Sequence, residues 1–314
     1  MRILFAGNKN RGAVCLQALV EAGHEIAGVL AHPGAGAPAS VAHRAASLGI
    51  PVYAPPRVNG AEVVKTLAAL RPELIVLAGY SQIVGPAILD LAPHGCINLH
   101  AGKLPQYRGS SPMNWALING ETEFTISILQ AERRVDAGDV LSERTFPIGI
   151  DDTIADLQRR ADEAFPGMLL ETVDAIGRHC VPRRKQDERE ARYYPLRFPE
   201  DGLILFDRFT VAEVHNRIRA LTDPYPGAFT YLGRRKVKLL RSRLASENVA
   251  GEPGRIYRVS GRGWLVCARD RCLWIEKAVF AAGGEDALGE APRYGRLATL
   301  AAAAELILNS VVCL

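Results

Sequence analysis

The sequence lacks the patterns that mark metal-binding, membrane-spanning or exported proteins. Among its six cysteines no pair has the CxxC spacing, and no histidine pair has the HxxxH spacing, of zinc sites. No run approaches the roughly 20 apolar residues of a membrane helix, and the apolar run that begins at Arg2 is too short for a secretory signal. We therefore expect no metal, buried free thiols where cysteines lie in apolar stretches, and a reducing, cytoplasmic location.

The chain also lacks a strong charge of either sign. Its net charge of +4 over 314 residues does not indicate a nucleic-acid partner, although it leaves room for a local basic patch. Hydrophobic residues make up 48% and charged residues 23% of the chain, which is ordinary for globular proteins and excludes general disorder. A chain of this length suits two domains.

Strand-like and helix-like segments alternate in the first half. The apolar runs at residues 2–6, 25–30, 74–78, 95–99, 124–130 and 140–146 predict strands, and residues 153–177 predict a long amphipathic helix. Strands separated by helices of this length form parallel sheets with right-handed crossovers. The sequence therefore predicts an α/β fold with a Rossmann-like parallel sheet.

The second half has a different pattern. Residues 182–206 are dense in charge and proline, which predicts a linker. Short predicted strands between residues 229 and 280 are typical of a small antiparallel β-barrel, here expected to be OB-like. We therefore divide the chain into an N-terminal catalytic domain (1–181), the linker (182–206), a barrel domain (207–280) and a tail (281–314) that ends in a helix.

Three polar residues lie where predicted strands end. Asn98 and His100 are two residues apart on one strand, so both side chains point to the same face. Open α/β sheets bind ligands at the carboxyl ends of their parallel strands, and Asp136 follows one strand later at that edge. Each residue taken alone has a structural explanation: His100 as a structural histidine, Asp136 as a turn former and Asn98 as a loop cap. Together they supply the donor, imidazole and carboxylate that suit acyl transfer.

The loop at residues 7–12, GNKNRG, follows the first strand and invites a second functional interpretation. It matches neither the GxGxxG nor the GxxxxGK[ST] nucleotide motif. A phosphate cradle and a plain tight turn beside the site both remain open for it.

The segment INLHAGKLPQYRGSSPMNWALINGE, which begins at Ile97, resembles the signature of the 10-formyltetrahydrofolate-dependent formyltransferases. In that family an Asn-x-His pair precedes an LPxYRG loop, and an Asp-x-Gly follows about 36 residues after the histidine. Asn98, His100 and the pair Asp136–Gly138 keep this order and spacing. MRILFAGNK, LIVLAGYSQIV and DPYPGAFTYLGRRKVKL resemble further segments of the family, so the resemblance covers roughly residues 1–280.

This resemblance implies an enzyme whose co-substrate is 10-formyltetrahydrofolate and which needs no metal. It implies catalytic roles for Asn98, His100 and Asp136. The folate would contact the residues of an apolar slot, namely Gly79, Tyr80, Ile83 and Leu104. Many members carry HxSLLP, whereas this chain has HAGKLP, so Gly102 stands where they have serine and no role can be transferred for that hydroxyl.

Three classes of substrate are compatible with the sequence as the source of the acceptor amine. The HAGKLP form and the segment from Met113 to Trp115 resemble formyltransferases that act on nucleotide-linked amino sugars, which we take as the first expectation. The alternative is a methionyl-tRNA formyltransferase, for which the basic stretch RRKVKLLRSR, starting at Arg234, would contact phosphates. Another small amine, such as hydroxyornithine, is the third. A non-catalytic folate-binding protein is disfavoured by the intact triad. We expect no membrane partner, and a homodimer is compatible with the sequence.

Overall fold

The computed structural model describes residues 1–33, 40–290, 294–302 and 304. These residues form two compact units. Unit 1 consists of Met1–Pro112, Phe124–Phe146 and Gln158–Pro195, and unit 2 consists of Met113–Glu123, Pro147–Leu157 and the described residues from Leu196 onwards.

Unit 1 is built on a seven-stranded sheet with strand order β3-β2-β1-β4-β5-β7-β8. Its strands are β1 (Arg2–Gly7), β2 (Glu25–Leu30), β3 (Val52–Tyr53), β4 (Leu74–Ala78), β5 (Cys96–His100), β6 (Arg108–Gly109), β7 (Glu123–Gln130), β8 (Val140–Pro147) and β9 (Tyr193–Tyr194), of which β6 and β9 form a separate two-stranded sheet. Its helices are α1 (Lys9–Glu21), α2 (Val41–Ser47), α3 (Ala61–Ala69), α4 (Pro86–Leu89) and most of α6 (Ile154–Gly177).

The central strands of this sheet form because their apolar runs are buried on both faces. Residues 3–6 of β1 are completely buried, as are residues 74–76 of β4, which is typical of strands covered by helices on both sides. The pairings of β1 with β2 and β4, of β2 with β3 and of β4 with β5 are parallel. This confirms the predicted parallel α/β domain.

Strand β7 departs from that prediction, because it pairs with β5 in the antiparallel direction. Its residues 124–129 are all buried. A strand buried on both faces has the same apolar pattern in either direction, so the sequence could not distinguish the two orientations.

Unit 2 contains α5 (Pro112–Ile118) except for its first residue, and α7 (Val211–Leu221), which starts with a capping box between Thr210 and Glu213. Its five-stranded antiparallel sheet has the order β10-β11-β14-β13-β12. The strands are β10 (Ala228–Leu232), β11 (Arg235–Leu244), β12 (Ile256–Ser260), β13 (Gly263–Cys267) and β14 (Cys272–Phe280).

The two edges of this sheet meet through the short segment that holds residues 296 and 297. Leu297 forms a bridge with Leu232 of β10, and Arg296 forms one with Arg255 next to β12. The bridging segment thus joins the first and last strands, as the predicted small antiparallel barrel requires. The predicted helix at the end of the tail lies largely outside the described residues.

Residues 182–195, here called the return segment, differ from the predicted linker. They belong to unit 1, where Arg184 bridges Val140 and Tyr193–Tyr194 form β9 beside β6. Charge and proline content suggested a linker, but this segment pairs its backbone with distant parts of the chain. Unit 2 also takes residues 113–123 and 147–157, which the sequence placed in the N-terminal domain.

The cysteines follow the expectation only in part. Cys15 and Cys96 are buried free thiols, and burial raises the pKa of Cys15 to about 12, while Cys180 is free but exposed. Cys267 and Cys272 instead form a disulfide, because the β13–β14 register places them directly opposite each other. Cys313 lies outside the described residues. Within the described part of the chain, no helix is both long enough and apolar enough to cross a membrane.

Candidate active site

Strand β5 carries Asn98 and His100 to the carboxyl edge of the parallel strands. Asn98 lies opposite Leu77 of β4 in the register, and the strand ends at His100. Asn98 is partly exposed, whereas only 6% of the His100 side chain is exposed. The spacing of two therefore places both side chains at the ligand-binding edge of such sheets.

The carboxylate of Asp136 brings these residues together. Its Oδ1 accepts a hydrogen bond from Asn98 Nδ2 at 3.1 Å, and its Oδ2 lies 3.5 Å from His100 Nδ1. Oδ2 also accepts the backbone N–H of Gly109 at 2.9 Å. Only 8% of the Asp136 side chain is exposed, so these contacts form with little competition from water. One carboxylate thus contacts both residues of the β5 pair.

The other ring nitrogen of His100 has a fixed role. Nε2 lies 2.6 Å from the Tyr107 carbonyl oxygen, which can only accept, so Nε2 carries a proton and donates it. The ring nitrogen that faces the Asp136 carboxylate is Nδ1. The imidazole is held from both sides, between the 101–112 loop and Asp136.

Gly102 fits under this imidazole because it has no side chain. A Cβ at this position would lie 2.7 Å from His100 Nε2, 2.7 Å from Pro112 Cβ and 2.8 Å from the Tyr107 carbonyl oxygen. Its own carbonyl accepts a hydrogen bond from Ser127 of β7 at 2.9 Å. The HAGKLP sequence therefore has a packing reason for glycine at this point.

The spacing of Asp136 and Gly138 also has a steric reason. A Cβ on Gly138 would overlap the carbonyl oxygen of Gln130 at the end of β7, so only glycine lets the loop pass this strand. Asp136 has a left-handed backbone with φ of 52°, which is uncommon for a residue with a side chain. The Asp-x-Gly element is thus a tight turn that directs its carboxylate towards β5.

Behind this turn lies a group of residues that was not predicted from the sequence. Gln186 of the return segment donates to the carbonyl oxygens of Asp136 and Gly138, at 2.8 and 2.7 Å. Its Oε1 accepts from Nε of Arg108, a residue with no exposed surface, at 2.9 Å. The guanidinium of Arg108 also pairs with Glu188 at 2.7 Å. No local pattern in the sequence indicates this group, because Gln186 and Glu188 are about 50 to 80 residues from the partners that they contact.

Glu188 links the return segment to two arginines. It accepts hydrogen bonds from Arg108 and from Arg134, and these lower its pKa to about 2. The hydroxyl of Tyr193 accepts a further bond from Arg108 at 3.1 Å. The carboxylate therefore stays ionised throughout the neutral range.

The matches to known proteins decide the family. The formyl transferase profile matches residues 2–173, and the profile of the formyl transferase C-terminal domain matches residues 198–285. The chain belongs to the formyl transferase family. It is 39% identical over 284 residues to a methionyl-tRNA formyltransferase from Geobacter sulfurreducens, with 88% of each chain covered. It is 36% identical to one from Moorella thermoacetica, covering 85% of this chain and 88% of that protein.

The fold of this formyl transferase also resembles that of sugar N-formyltransferases. The crystal structure of WlaRD, a sugar 3N-formyltransferase, superimposes with a TM-score of 0.68 at 18% identity, covering 91% of this chain and 98% of that one. At that identity the likeness concerns the fold alone.

The four predicted folate contacts of the formyl transferase have different environments. Gly79 and Tyr80 follow β4, whose last residue pairs with Leu99 of β5, so they lie at the same sheet edge as the triad. The Ile83 side chain is 73% exposed. Leu104 is instead buried, in an apolar cluster with Leu129 and Val140.

The structure gives packing roles to the 7–12 loop and to Asn114, for which the sequence suggested ligand binding. In the 7–12 loop the glycines pack against each other, Asn8 caps α1, and Asn10 and Arg11 both bind Asp162. This agrees with a tight turn and leaves a phosphate cradle without support. Asn114 is buried and donates to the Ala220 carbonyl at 2.7 Å, so it stabilises unit 2. No His, Cys, Asp or Glu cluster suited to a metal occurs among the residues that the structure describes.

Proposed function

We propose that this formyl transferase moves the formyl group of 10-formyltetrahydrofolate to a primary amine, with Asn98, His100 and Asp136 as the catalytic residues. The observation that carries the proposal is the Asp136 carboxylate, which contacts the Asn98 amide and faces the His100 imidazole. A donor, a titratable ring and a carboxylate at one strand end are the groups that acyl transfer without a covalent intermediate uses.

The reaction balances with these groups alone. The neutral amine attacks the formyl carbon, forming a C–N bond and a tetrahedral oxyanion. Asn98 donates one amide hydrogen to Asp136, and its second hydrogen serves the oxyanion. The oxyanion then collapses, the bond from the formyl carbon to N10 of the folate breaks, and the amine proton passes by way of the His100–Asp136 pair to that nitrogen.

The folate would lie along the segment from Gly79 to Ile83. The exposed Ile83 side chain offers an apolar surface to a flat pterin, and the backbone of the segment offers donors and acceptors. Leu104 is buried in a cluster with Leu129 and Val140. In this assignment Ile83 contacts the ligand directly and Leu104 acts through packing.

We propose a nucleotide-linked amino sugar as the acceptor. The supporting observation is that basic residues of β11 have partners within unit 2. Arg235 pairs with Glu290 at 2.5 Å, and Arg241 and Arg243 share Glu276 at 3.0 and 2.8 Å. Carboxylates this close reduce the positive potential that a row of tRNA phosphates would need. A sugar nucleotide offers only two phosphates.

Initiator methionyl-tRNA is the second candidate. It is favoured by the names of the relatives that are 36–39% identical over most of their length. In that case the basic strand would bind RNA with its arginines released from Glu276 and Glu290.

One experiment separates the two acceptors. A single protein sample with labelled 10-formyltetrahydrofolate is offered a UDP- or dTDP-linked amino sugar, charged initiator tRNA and hydroxyornithine at physiological salt. We expect the sugar nucleotide to be formylated far faster. Replacing Arg234, Arg235 and Lys236 by alanine should change the acceptor KM less than about threefold, because no extended phosphate row is bound. Preferred formylation of the tRNA, with a large KM increase in the triple variant, would contradict the sugar assignment.

A further inference from the structure

The backbone of Asp136 is held by a side chain from far along the sequence. With φ of 52°, Asp136 has a left-handed conformation, which is uncommon for residues with a Cβ, although aspartate adopts it more readily than most of them. Gln186 Nε2 donates both hydrogens, one to the Asp136 carbonyl at 2.8 Å and one to the Gly138 carbonyl at 2.7 Å. These bonds connect the two ends of the turn whose middle residue is Ala137.

The orientation of the Gln186 amide follows from its neighbours. Two carbonyls face one end, so that end is the NH2 group, and Arg108 Nε donates to the other end at 2.9 Å. Arg108 is completely buried, and Glu188 and Tyr193 hold its guanidinium. The amide is therefore fixed before any substrate binds.

We propose that Gln186 is a positioning residue that sets the direction of the Asp136 carboxylate; this inference rests on the catalytic role proposed above for Asp136. From this single turn the carboxylate has to reach two residues of β5. Its Oδ1 lies 3.1 Å from Asn98 Nδ2, and its Oδ2 lies 3.5 Å from His100 Nδ1. Without the two Gln186 bonds, the turn loses the side-chain contact that ties its two ends together. The carboxylate would then lose alignment with β5 while substrate contacts elsewhere remain.

Two substitutions test the role of the amide. Gln186→Met keeps the approximate volume but removes both donors and the acceptor of Arg108 Nε. Gln186→Glu still accepts from Arg108 but opposes the two carbonyls, so it isolates the loss of the donors. We expect each variant to lower kcat by about 10- to 100-fold, the loss that a displacement of a catalytic group by around 1 Å causes. The KM values for folate and acceptor should stay within about twofold of the wild-type values. The control is Glu190→Gln in the same return segment, whose contact is the Gln106 side chain at 2.6 Å. Thermal unfolding of each variant confirms that it is folded.

A double-mutant cycle identifies the partner. If Gln186 acts through Asp136, adding Gln186→Met to Asp136→Asn causes little further loss of the single-turnover rate. Full additivity, or a wild-type kcat in folded Gln186→Met and Gln186→Glu, would overturn the positioning role. A wild-type rate in Asp136→Asn alone would instead overturn the proposed catalytic function, so the two failures are distinguishable.

Discussion

Replacing Gly102 by alanine tests the fit of the imidazole most sharply. The new Cβ would lie 2.7 Å from His100 Nε2 and from Pro112 Cβ, and 2.8 Å from the Tyr107 carbonyl oxygen. Two of these three groups are the partners of the hydrogen bond that fixes the ring. The methyl group therefore cannot be accommodated by moving a single flexible side chain.

The size of the effect follows from these distances. Restoring ordinary contact at 3.4 Å requires a displacement of about 0.7 Å at the His100 ring, and misplacements of around 1 Å cost about 10²-fold in rate. We predict that Gly102→Ala lowers kcat by about 10- to 100-fold. Overpacking of a buried site should lower the free energy of unfolding by about 1–3 kcal/mol.

The assay measures kcat, the KM for folate and the urea midpoint of Gly102→Ala beside a matched control. The control is Gly167→Ala on α6, where an added Cβ would meet nothing within 4 Å. It should leave kcat unchanged and stabilise the helix by about 0.5–1 kcal/mol. If Gly102→Ala has the wild-type kcat and stability, the packing argument for this glycine is refuted.

Two further predictions concern pH and metals. Burial lowers the pKa of His215, and the charge of Arg219 lowers it further, below the ordinary value of 6.5. Below pH 6.5 the unfolded chain therefore binds a proton at His215 that the folded protein excludes. Between pH 7.5 and 5.5, the free energy of unfolding of the wild type should therefore fall more than that of His215→Gln. An equal shift of the urea midpoint in the two proteins between these pH values would contradict this. Turnover should survive EDTA, because the residues that the structure describes include no cluster of His, Cys, Asp and Glu suited to a metal. Loss of turnover that zinc restores would contradict this.

The candidate site was predictable where its signals were local. Asn98 and His100 needed only the alternation of one strand and the rule for ligands at strand ends. The Asp136–Gly138 spacing followed from the family resemblance, and the structure adds its physical reason in the close approach of Gly138 to β7. Whether these residues are catalytic stays a prediction until the variants are measured.

The rest depended on contacts that no local pattern records. Gln186 and Glu188 stand in a charged, proline-rich stretch that predicted a linker, but the buried Arg108 pairs with both across about 80 residues. The antiparallel direction of β7 could not be predicted from the sequence either. A strand that is buried on both faces has the same apolar run in the parallel and the antiparallel orientation. Leu104 was predicted at the ligand, and its place in a buried cluster depends on partners from β7 and β8.

Single-turnover kinetics decide whether the Asp136 carboxylate promotes formyl transfer through Asn98 and His100. Wild type and Asp136→Asn are mixed in excess with labelled 10-formyltetrahydrofolate and the best acceptor, and the folate Kd is measured separately by fluorescence. Asparagine keeps the size of the side chain but removes its charge. We predict a rate at least about 10²-fold lower in the variant with the folate Kd unchanged. An equal single-turnover rate in the two proteins would show that the Asp136 carboxylate is not needed for the transfer.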